Sequence, residues 1–341
     1  MLIILFQSKI MKKKIFIGID VSKSKLDVAI IIERDLQRIN HFIVSNNLKG
    51  FNKLLSKLED LCPESNLWLF CFENTGVYST SLACFLSETG IDFCHESALR
   101  IKRSLGIKRG KNDQLDSKEI AGYTYLFREK LKLTSYPQKQ LQKLKLLLTY
   151  RDRLLRQKNA LLVAAKEAYE CFENETTKFI LDDSLELIAL YEQKIRKAEG
   201  EIKRIIKEDQ ALSKNFAMAT SVVGVSLIIG SYMLVQTNNF TSHNQREYAC
   251  HAGIAPYEHS SGTDTTKAKK TSKMADRKIK ALLTNGAYSA IQNDPQIRLY
   301  YKRKISEGKN EYSALNAVRF KLISRVFATV KRGTPYVKMA H

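Results

Sequence analysis

The stretch KIFIGIDVSKSKLDVAI, residues 14–30, decides the fold of this chain. It contains two apolar runs separated by VSKSK, and short apolar runs bounded by turn residues are typical of buried strands. The first run ends on Asp20, and the second begins at residue 25. We therefore predict a β-hairpin whose first strand ends on a carboxylate.

The segments that follow alternate between strand-like and helix-like patterns. In chain order they occupy residues 40–45, 48–60, 67–73, 77–89, 91–95 and 113–128. Three strands, then helix, strand, helix, strand and helix, is the order of the ribonuclease H fold. We therefore expect an α/β domain of this type over residues 11–132.

Residues 137–210 have a different pattern, with apolar residues repeating at a spacing of seven. The repeated leucine pairs are Leu147/Leu148, Leu154/Leu155 and Leu161/Leu162. A second seam has steps of three and four, at Ile188, Tyr191, Ile195, Ala198, Ile202 and Ile205. Such heptads predict an antiparallel coiled-coil hairpin, and we assign its apolar positions to the core. Residues 211–341 then form a mainly helical C-terminal domain.

The charge balance points to an anionic partner. The chain has 341 residues, with 56 Lys and Arg against 35 Asp and Glu, for a formal charge of +21. Nucleic acid fits better than a membrane, because no apolar stretch approaches the ~20 residues that span a bilayer. The opening MLIILFQSKI is a poor signal peptide, and a natural start at Met11 is an open alternative. Six cysteines without a C-x-x-C pair favour a reducing, cytoplasmic compartment.

Three further carboxylates stand at places like that of Asp20. Glu73 follows an apolar run in LWLFCFENTGVYS, residues 67–79, and Asp113 and Asp116 lie at a helix start. Residues at i and i+3 share one face of a helix. Taken singly, each acid is more often a turn or cap residue. Together, in this order and fold, they predict a site for Mg²⁺ or Mn²⁺, which accept carboxylate oxygens and assist phosphoryl displacement.

Two basic segments predict contacts to a nucleic-acid backbone. One is RIKRSLGIKRGK, residues 100–111, which contains six basic residues and no acid, and the other is KAKKTSKMADRKIKALL, residues 267–283. Lys and Arg clusters of this kind neutralise phosphates and release counterions. The predicted nucleic-acid contacts are Arg100, Lys102, Arg103, Lys108, Arg109, Lys111, Lys267, Lys269, Lys270 and Lys273.

Several segments together resemble the DEDD transposases of the insertion-sequence family "one-ten". They are IGIDVSKSKLDVAI, ENTGVYS, KNDQLDSKEIA, AGIAPYEHSSG and SKMADRKIKALL, in order within roughly residues 14–335. The resemblance implies a bridge-RNA-guided recombinase that joins a RuvC-like domain to a transposase domain with a nucleophilic serine. Its acidic tetrad corresponds to Asp20, Glu73, Asp113 and Asp116, and its serine corresponds to Ser261.

The chain departs from the family pattern in two places, neither of them at an acidic position. In VVGVS, the family's frequent proline and second glycine are replaced by Val223 and Ser226. The Ser-Lys-x-Gly segment ends on Ala275 here. Ser260 stands directly beside Ser261, so which hydroxyl attacks is left open.

The resemblance implies that Ser261 attacks DNA, forms a phosphoserine and frees a 3′-hydroxyl. The 3′-hydroxyl of a different strand then attacks the phosphoserine and rejoins the DNA. Three other functions remain as alternatives. A metal-dependent nuclease or Holliday-junction resolvase would use water as the nucleophile in place of a serine. A sugar-kinase or actin-type ATPase would need a second glycine-rich phosphate loop, which we do not find in the sequence. A non-catalytic nucleic-acid-binding protein would retain only the charge. We expect DNA and a structured guide RNA as partners, a dimer or tetramer, and a bacterial, nucleoid-associated location.

Overall fold

The computed structural model describes residues 10, 12–73, 76–106, 112–134, 139–257, 270–271 and 275–338. The chain divides into two compact units, Met1–Tyr136 and Pro137–His341. The bounds 11–132 predicted for the α/β domain stay a prediction. The further division of the second unit at residue 210 stays a prediction.

The N-terminal unit is built on one five-stranded mixed sheet. Its strands are β1 (Ile15–Val21), β2 (Lys25–Ile32), β3 (Asp35–Ser45), β4 (Trp68–Glu73) and β5 (Phe93–Glu96). They lie in the order β3-β2-β1-β4-β5, with the first three strands antiparallel and β4 and β5 parallel to β1. The predicted hairpin is confirmed, and the strand order agrees with a ribonuclease H-like domain.

Among the described residues, four helices flank this sheet: α1 (Leu48–Leu61), α2 (Val77–Glu88), α3 (Ala98–Leu105) and α4 (Asp113–Leu126). Residues of a strand point alternately to the two faces of the sheet. Ile17 and Ile19 of β1 belong to a core with Phe51 of α1, whereas Phe16 belongs to a separate core with Ile120 of α4. The even-numbered residues of β1 therefore face α4, and Asp20 is among them.

Gly18 permits the close packing of α4 on β1. A Cβ atom built on Gly18 would lie 2.1 Å from the backbone nitrogen of Ala121 and 2.4 Å from the carbonyl oxygen of Ser117. No side chain fits at these distances, because both neighbours are backbone atoms. The glycine of the IGID segment thus brings α4 against the strand that carries Asp20.

The C-terminal unit begins with two long helices, α5 (Lys139–Cys171) and α6 (Glu175–Glu208). Arg151 Nε lies 2.7 Å from Glu199 Oε1, and Lys158 Nζ lies 3.1 Å from Glu192 Oε1. A step of seven residues forward on α5 is thus matched by seven residues backward on α6, so the pair is antiparallel. Five of the six predicted seam residues of α6 are buried: Ile188, Ile195, Ala198, Ile202 and Ile205. Supercoiling of the pair stays a prediction.

The rest of this unit is mainly helical. Its helices are α7 (Gln210–Thr220), α8 (Leu227–Gln236), α9 (Gln245–His251), α10 (Arg277–Asn293), α11 (Pro295–Ser306) and α12 (Glu311–Arg332). A two-stranded ribbon pairs β6 (Pro256–Tyr257) with β7 (Lys270–Thr271). None of the helices in the described residues combines the length and hydropathy that a membrane span requires.

The turn VVGVS between α7 and α8 depends on its one glycine. Gly224 has φ of +94°, and a Cβ atom there would lie 2.3 Å from the carbonyl oxygen of Gly286 in α10. Ser226, which stands where the family often has glycine, accepts a hydrogen bond from the backbone N–H of Ile229 and caps α8. The departure from the family pattern therefore supplies a helix cap.

Candidate active site

The sheet places two of the predicted carboxylates at the ends of neighbouring strands. β1 and β4 are parallel, and Ile19 is paired with Phe72, so Asp20 and Glu73 follow directly in the same register. Leu69 and Cys71 of β4 belong to the core that faces α4. Glu73 alternates with them and is directed to that same face. Both carboxylates thus stand at the carboxyl ends of adjacent parallel strands, on the α4 side.

The other two carboxylates lie in the first turn of α4. Asn112 caps this helix: its side chain accepts a hydrogen bond from the N–H of Gln114 at 3.0 Å. Asp113 and Asp116 are therefore not required as the cap. Their negative charge is still favourable at a helix N-terminus.

The pKa of Asp20 reports the surroundings of the site. This pKa is raised from 3.8 to about 6, first by burial and then, in decreasing order, by the negative charges of Asp113, Asp116, Glu73 and Asp27. All three predicted partners thus act electrostatically on Asp20. Perturbed carboxyl groups of this kind cluster at functional sites.

Sequence reasoning missed a cation at this cluster. Lys25, the first residue of β2, has its Nζ 2.8 Å from Asp113 Oδ2 and 3.0 Å from Asp27 Oδ2. Asp27 is buried, lies opposite Asp20 in the antiparallel pair β1–β2, and has its Oδ1 3.2 Å from His41 Nε2. The sequence held one signal of this additional carboxylate, because the predicted hairpin already placed an aspartate of β2 beside Asp20.

The chemistry of these donors fits a hard divalent cation. The negative charges that raise the pKa of Asp20 would be offset by a positive charge bound among them. In the structure Lys25 supplies such a charge to Asp113. Among the described residues, no three His, Cys, Asp or Glu side chains are close enough together to form a ready-made metal site. A metal ion would therefore need side chains of the cluster to turn toward it.

The basic segment at 100–111 is partly helical, which the sequence reasoning did not predict. Arg100, Lys102 and Arg103 are exposed on α3. Nη1 of Arg100 is 3.2 Å from both carboxylate oxygens of Glu96, so this arginine already has a protein partner. The other three predicted contacts of this segment lie outside the described residues: Lys108, Arg109 and Lys111.

The predicted nucleophile precedes the second basic segment in the chain. Ser260 and Ser261 lie outside the described residues, as do Lys267, Lys269 and Lys273. Lys270 is described as part of β7, where it pairs with Tyr257 of β6. The ribbon β6–β7 therefore brackets the segment that contains both serines.

Comparisons with known proteins agree with one another. The family model for DEDD transposases of IS110 matches residues 17–168. A second model, described as "Transposase IS116/IS110/IS902 family", matches residues 217–302. The chain is 23% identical to the pilin gene-inverting proteins of Moraxella bovis and Moraxella lacunata, over 96% of its length and 99% of theirs. It is 31% identical to an uncharacterized 43.6 kDa protein of insertion element IS110 from Streptomyces coelicolor, over 44% of this chain and 36% of that protein.

Proposed function

We propose that this chain cuts and rejoins DNA through a phosphoserine intermediate under the guidance of a structured RNA. The chain belongs to the IS110 or "one-ten" family of DNA transposases. That it is a transposase or recombinase follows from its family and its full-length similarity to gene-inverting proteins. The covalent intermediate and the RNA are the proposed parts. The observation that carries the proposal is the acidic cluster around Asp20, since strand transfer is assisted by divalent cations and neighbouring carboxylates are the groups that would hold them.

The acidic residues have a common role in this proposal. Asp20, Glu73, Asp113 and Asp116 would hold Mg²⁺ or Mn²⁺, which when bound offsets the charge that develops on a phosphate during displacement. β1 and β4 fix two of the carboxylates on the sheet, and the first turn of α4 carries the other two. Lys25 holds Asp113 toward the sheet before a metal is present.

Ser261 is the proposed nucleophile. Its Oγ attacks the phosphorus of a DNA phosphodiester; the bond from phosphorus to the 3′-oxygen breaks, and that oxygen takes up a proton as the serine loses one. The energy of the phosphodiester is retained in the phosphoserine. The 3′-hydroxyl of another strand then reverses the reaction and rejoins the DNA without ATP.

Exchange of four strands requires more than one nucleophile, so we propose a dimer or tetramer. The named activity of the Moraxella relatives, inversion of a pilin gene, is one form of such exchange. We infer that this chain likewise acts on two DNA sites at once. The basic segments and the charge of +21 provide contacts for DNA and for the guide RNA. We place this work at the bacterial nucleoid, in the cytoplasm.

Adduct formation tests the nucleophile. Wild-type protein incubated with DNA and Mn²⁺ should give a covalent protein–DNA band on a denaturing gel, and Ser261→Ala should lose both the band and strand exchange. A phosphopeptide centred on Ser260 would move the role by one residue. Recombination that persists in the Ser260→Ala, Ser261→Ala double variant would reject the phosphoserine and favour hydrolysis by water, as in a resolvase.

RNA guidance has its own test. Chain purified from cells that carry its flanking DNA should retain a discrete structured RNA, which sequencing would map to that flank. Recombination should be lost on ribonuclease treatment and return when the RNA is added back. Full activity without RNA would reject guidance and leave the serine chemistry standing.

A further inference from the structure

A cavity of about 1110 Å³ lies within the C-terminal unit, between the end of α9, the α10 helix and the start of α12. Its described lining contains four basic side chains and no acidic one. They are Arg246, Lys280, Lys309 and Arg319. A basic cavity without a counter-charge among its lining residues favours an anionic ligand.

Arg319 is the buried member of this group. It is only 9% exposed and is surrounded along α12 by the core residues Leu315, Val318 and Leu322. One Nη of its guanidinium donates to Asn316 Oδ1 at 3.2 Å, while its Nε has no hydrogen-bond partner among the described residues. A buried charged donor that lacks a partner is costly, so its retention points to a partner that arrives from outside.

A second arginine on the same helix shows the contrast. Arg325 donates from Nη1 to Asp294 Oδ2 at 2.7 Å and from Nη2 to Gln296 Oε1 at 2.9 Å. α12 can therefore satisfy a half-buried arginine with protein groups. The incomplete bonding of Arg319 belongs to its cavity and not to the helix as a whole.

The groups beside Arg319 hold it ready for an anion. Asn316 donates from Nδ2 to the carbonyl oxygen of Ile254 at 2.7 Å, so the amide that accepts from Arg319 is itself fixed. Burial lowers the pKa of Lys280, and the charge of Arg319 lowers it further. Two cations that disfavour each other's charge would both be stabilised by one bound phosphate.

Aromatic side chains complete the cavity. Tyr300, Tyr312 and Phe320 line it together with the basic residues. Tyr312 is 82% exposed, which is unusual for so large a side chain. Cations beside accessible aromatic rings are the combination that binds unpaired nucleotides, whose bases stack while their phosphates are neutralised. A cavity of this size accommodates a nucleotide.

We propose that this cavity binds an unpaired nucleotide of a single-stranded nucleic acid, with its phosphate on Arg319 and its base against Tyr312. The inference rests on the proposed function only in taking nucleic acid as the source of the anion. It assigns a role to residues other than the acidic tetrad and the two serines. Its test measures binding and not cleavage, so its failure and that of the proposed chemistry are separable.

The unaltered full-length chain offers a direct test, because Cys250 is exposed and lines the cavity. Alkylation by iodoacetamide, read at each cysteine by peptide mass spectrometry, should slow at Cys250 when a short oligodeoxythymidylate is added. Cys171 is exposed at the end of α5, outside the cavity lining, and serves as the internal control. Slowing at both cysteines, or at neither, would overturn the proposal.

Variants provide the second measurement, by fluorescence anisotropy of the same labelled strand. Arg319→Met should weaken binding of this strand by roughly 10- to 100-fold, because that is the loss in affinity expected when a hydrogen bond to a charged group is removed. The matched control is Lys331→Met, which removes one positive charge from the exposed end of the same helix. Equal affinity of the two variants would count against the site.

Tyr312→Ala covers the case in which Arg319→Met fails to fold, since Tyr312 is exposed. We expect about 10-fold weaker binding of the single strand, from lost stacking, and unchanged binding of duplex DNA. Tyr150→Ala changes an exposed tyrosine on α5; it is the control and should have no effect on binding.

An oligoribonucleotide measured in parallel identifies the source of the bound strand. Tighter binding of RNA assigns the cavity to a guide, and tighter binding of DNA assigns it to the substrate strand. If Tyr312→Ala weakened the binding of duplex and single-stranded DNA equally, the proposal that the cavity holds an unpaired nucleotide would be refuted.

Discussion

Gly18 of β1 lies so close to Ala121 of α4 that a Cβ atom on the glycine would be 2.1 Å from the alanine backbone nitrogen. This contact sets the distance between the helix that carries Asp113 and Asp116 in its first turn and the strand that carries Asp20 near its end. The spacing of the acidic site is therefore fixed in the core, away from the carboxylates themselves.

Gly18→Ala should destabilise the protein, because overpacking against backbone atoms costs about 1–3 kcal/mol. Urea unfolding should show the loss. Gly122→Ala is the matched control: it lies on α4, one residue beyond Ala121, with open space around its missing side chain. That change should stabilise by up to about 1 kcal/mol through helix propensity. Equal effects of the two substitutions would contradict the close-packing argument.

Lys25→Met should alter the response of the protein to divalent metal. Without Lys25, Asp113 and Asp27 lose their shared cation, so the metal-free melting temperature should fall. The rise in melting temperature on adding Mn²⁺ should grow, because a competing positive charge is gone. Lys23→Met removes an exposed charge from the same turn and should leave the Mn²⁺ response unchanged. A reduced Mn²⁺ response in Lys25→Met would mean that the lysine assists the metal instead.

The pKa of Asp20 gives a pH dependence with a definite sign. It is raised in the folded state from 3.8 to about 6, so the folded protein holds this proton more tightly than the unfolded chain does. The contribution of Asp20 to stability is therefore fully present below pH 4 and lost as pH rises to about 6. Mn²⁺ must displace the proton, so its affinity should rise with pH up to about 6 and then level off. Calorimetric titration of wild type and Asp20→Asn would show this, and an Asp20→Asn profile identical to wild type would assign the effect elsewhere.

Asp116→Asn should reduce strand cleavage by roughly 10²-fold or more, as loss of a group that stabilises transition-state charge does. The affinity for DNA should stay close to that of wild type, because removing a negative charge from the protein does not increase its repulsion of a polyanion. Asp60→Asn, on the exposed end of α1, is the control and should retain full cleavage. Undiminished cleavage by Asp116→Asn would remove this residue from the site.

Neutralising Lys267, Lys269 and Lys270 together should flatten the salt dependence of DNA binding. Several phosphate contacts lose about 10³-fold in affinity or more between 50 and 200 mM salt, and each contact removed lowers that slope. The control changes the exposed lysines of α6, Lys178, Lys194 and Lys203, by the same total charge. Equal slopes for the two triple variants would show that position on the chain does not matter.

The sequence predicted those parts of the fold that depend on local pattern. The strand that carries Asp20 and the helix beginning at Asp113 were both located, because apolar runs and helix-start residues are local signals; the strand ends at Val21, one residue later than predicted. α3 was missed, since its residues 100–105 were interpreted only as a basic surface. Lys25 was missed because its role depends on two partners, one of them 88 residues away.

Arg319 shows the same limit in the C-terminal unit. It stands in ALNAVRFKLISRV, where a cation interrupts the apolar face of a helix, and that pattern alone does not distinguish a paired arginine from an unpaired one. The difference from Arg325 lies in Asp294, which caps α11, and in Gln296 of that helix. Tertiary partners of this kind cannot be inferred from spacing.

Each of the two units has hydrophobic cores of its own, one pair around the sheet and the other among the C-terminal helices. Substitutions that accumulate in one core leave the packing of the other untouched. The two halves of the gene can therefore diverge at different rates, because each encodes the residues that fill its own cores.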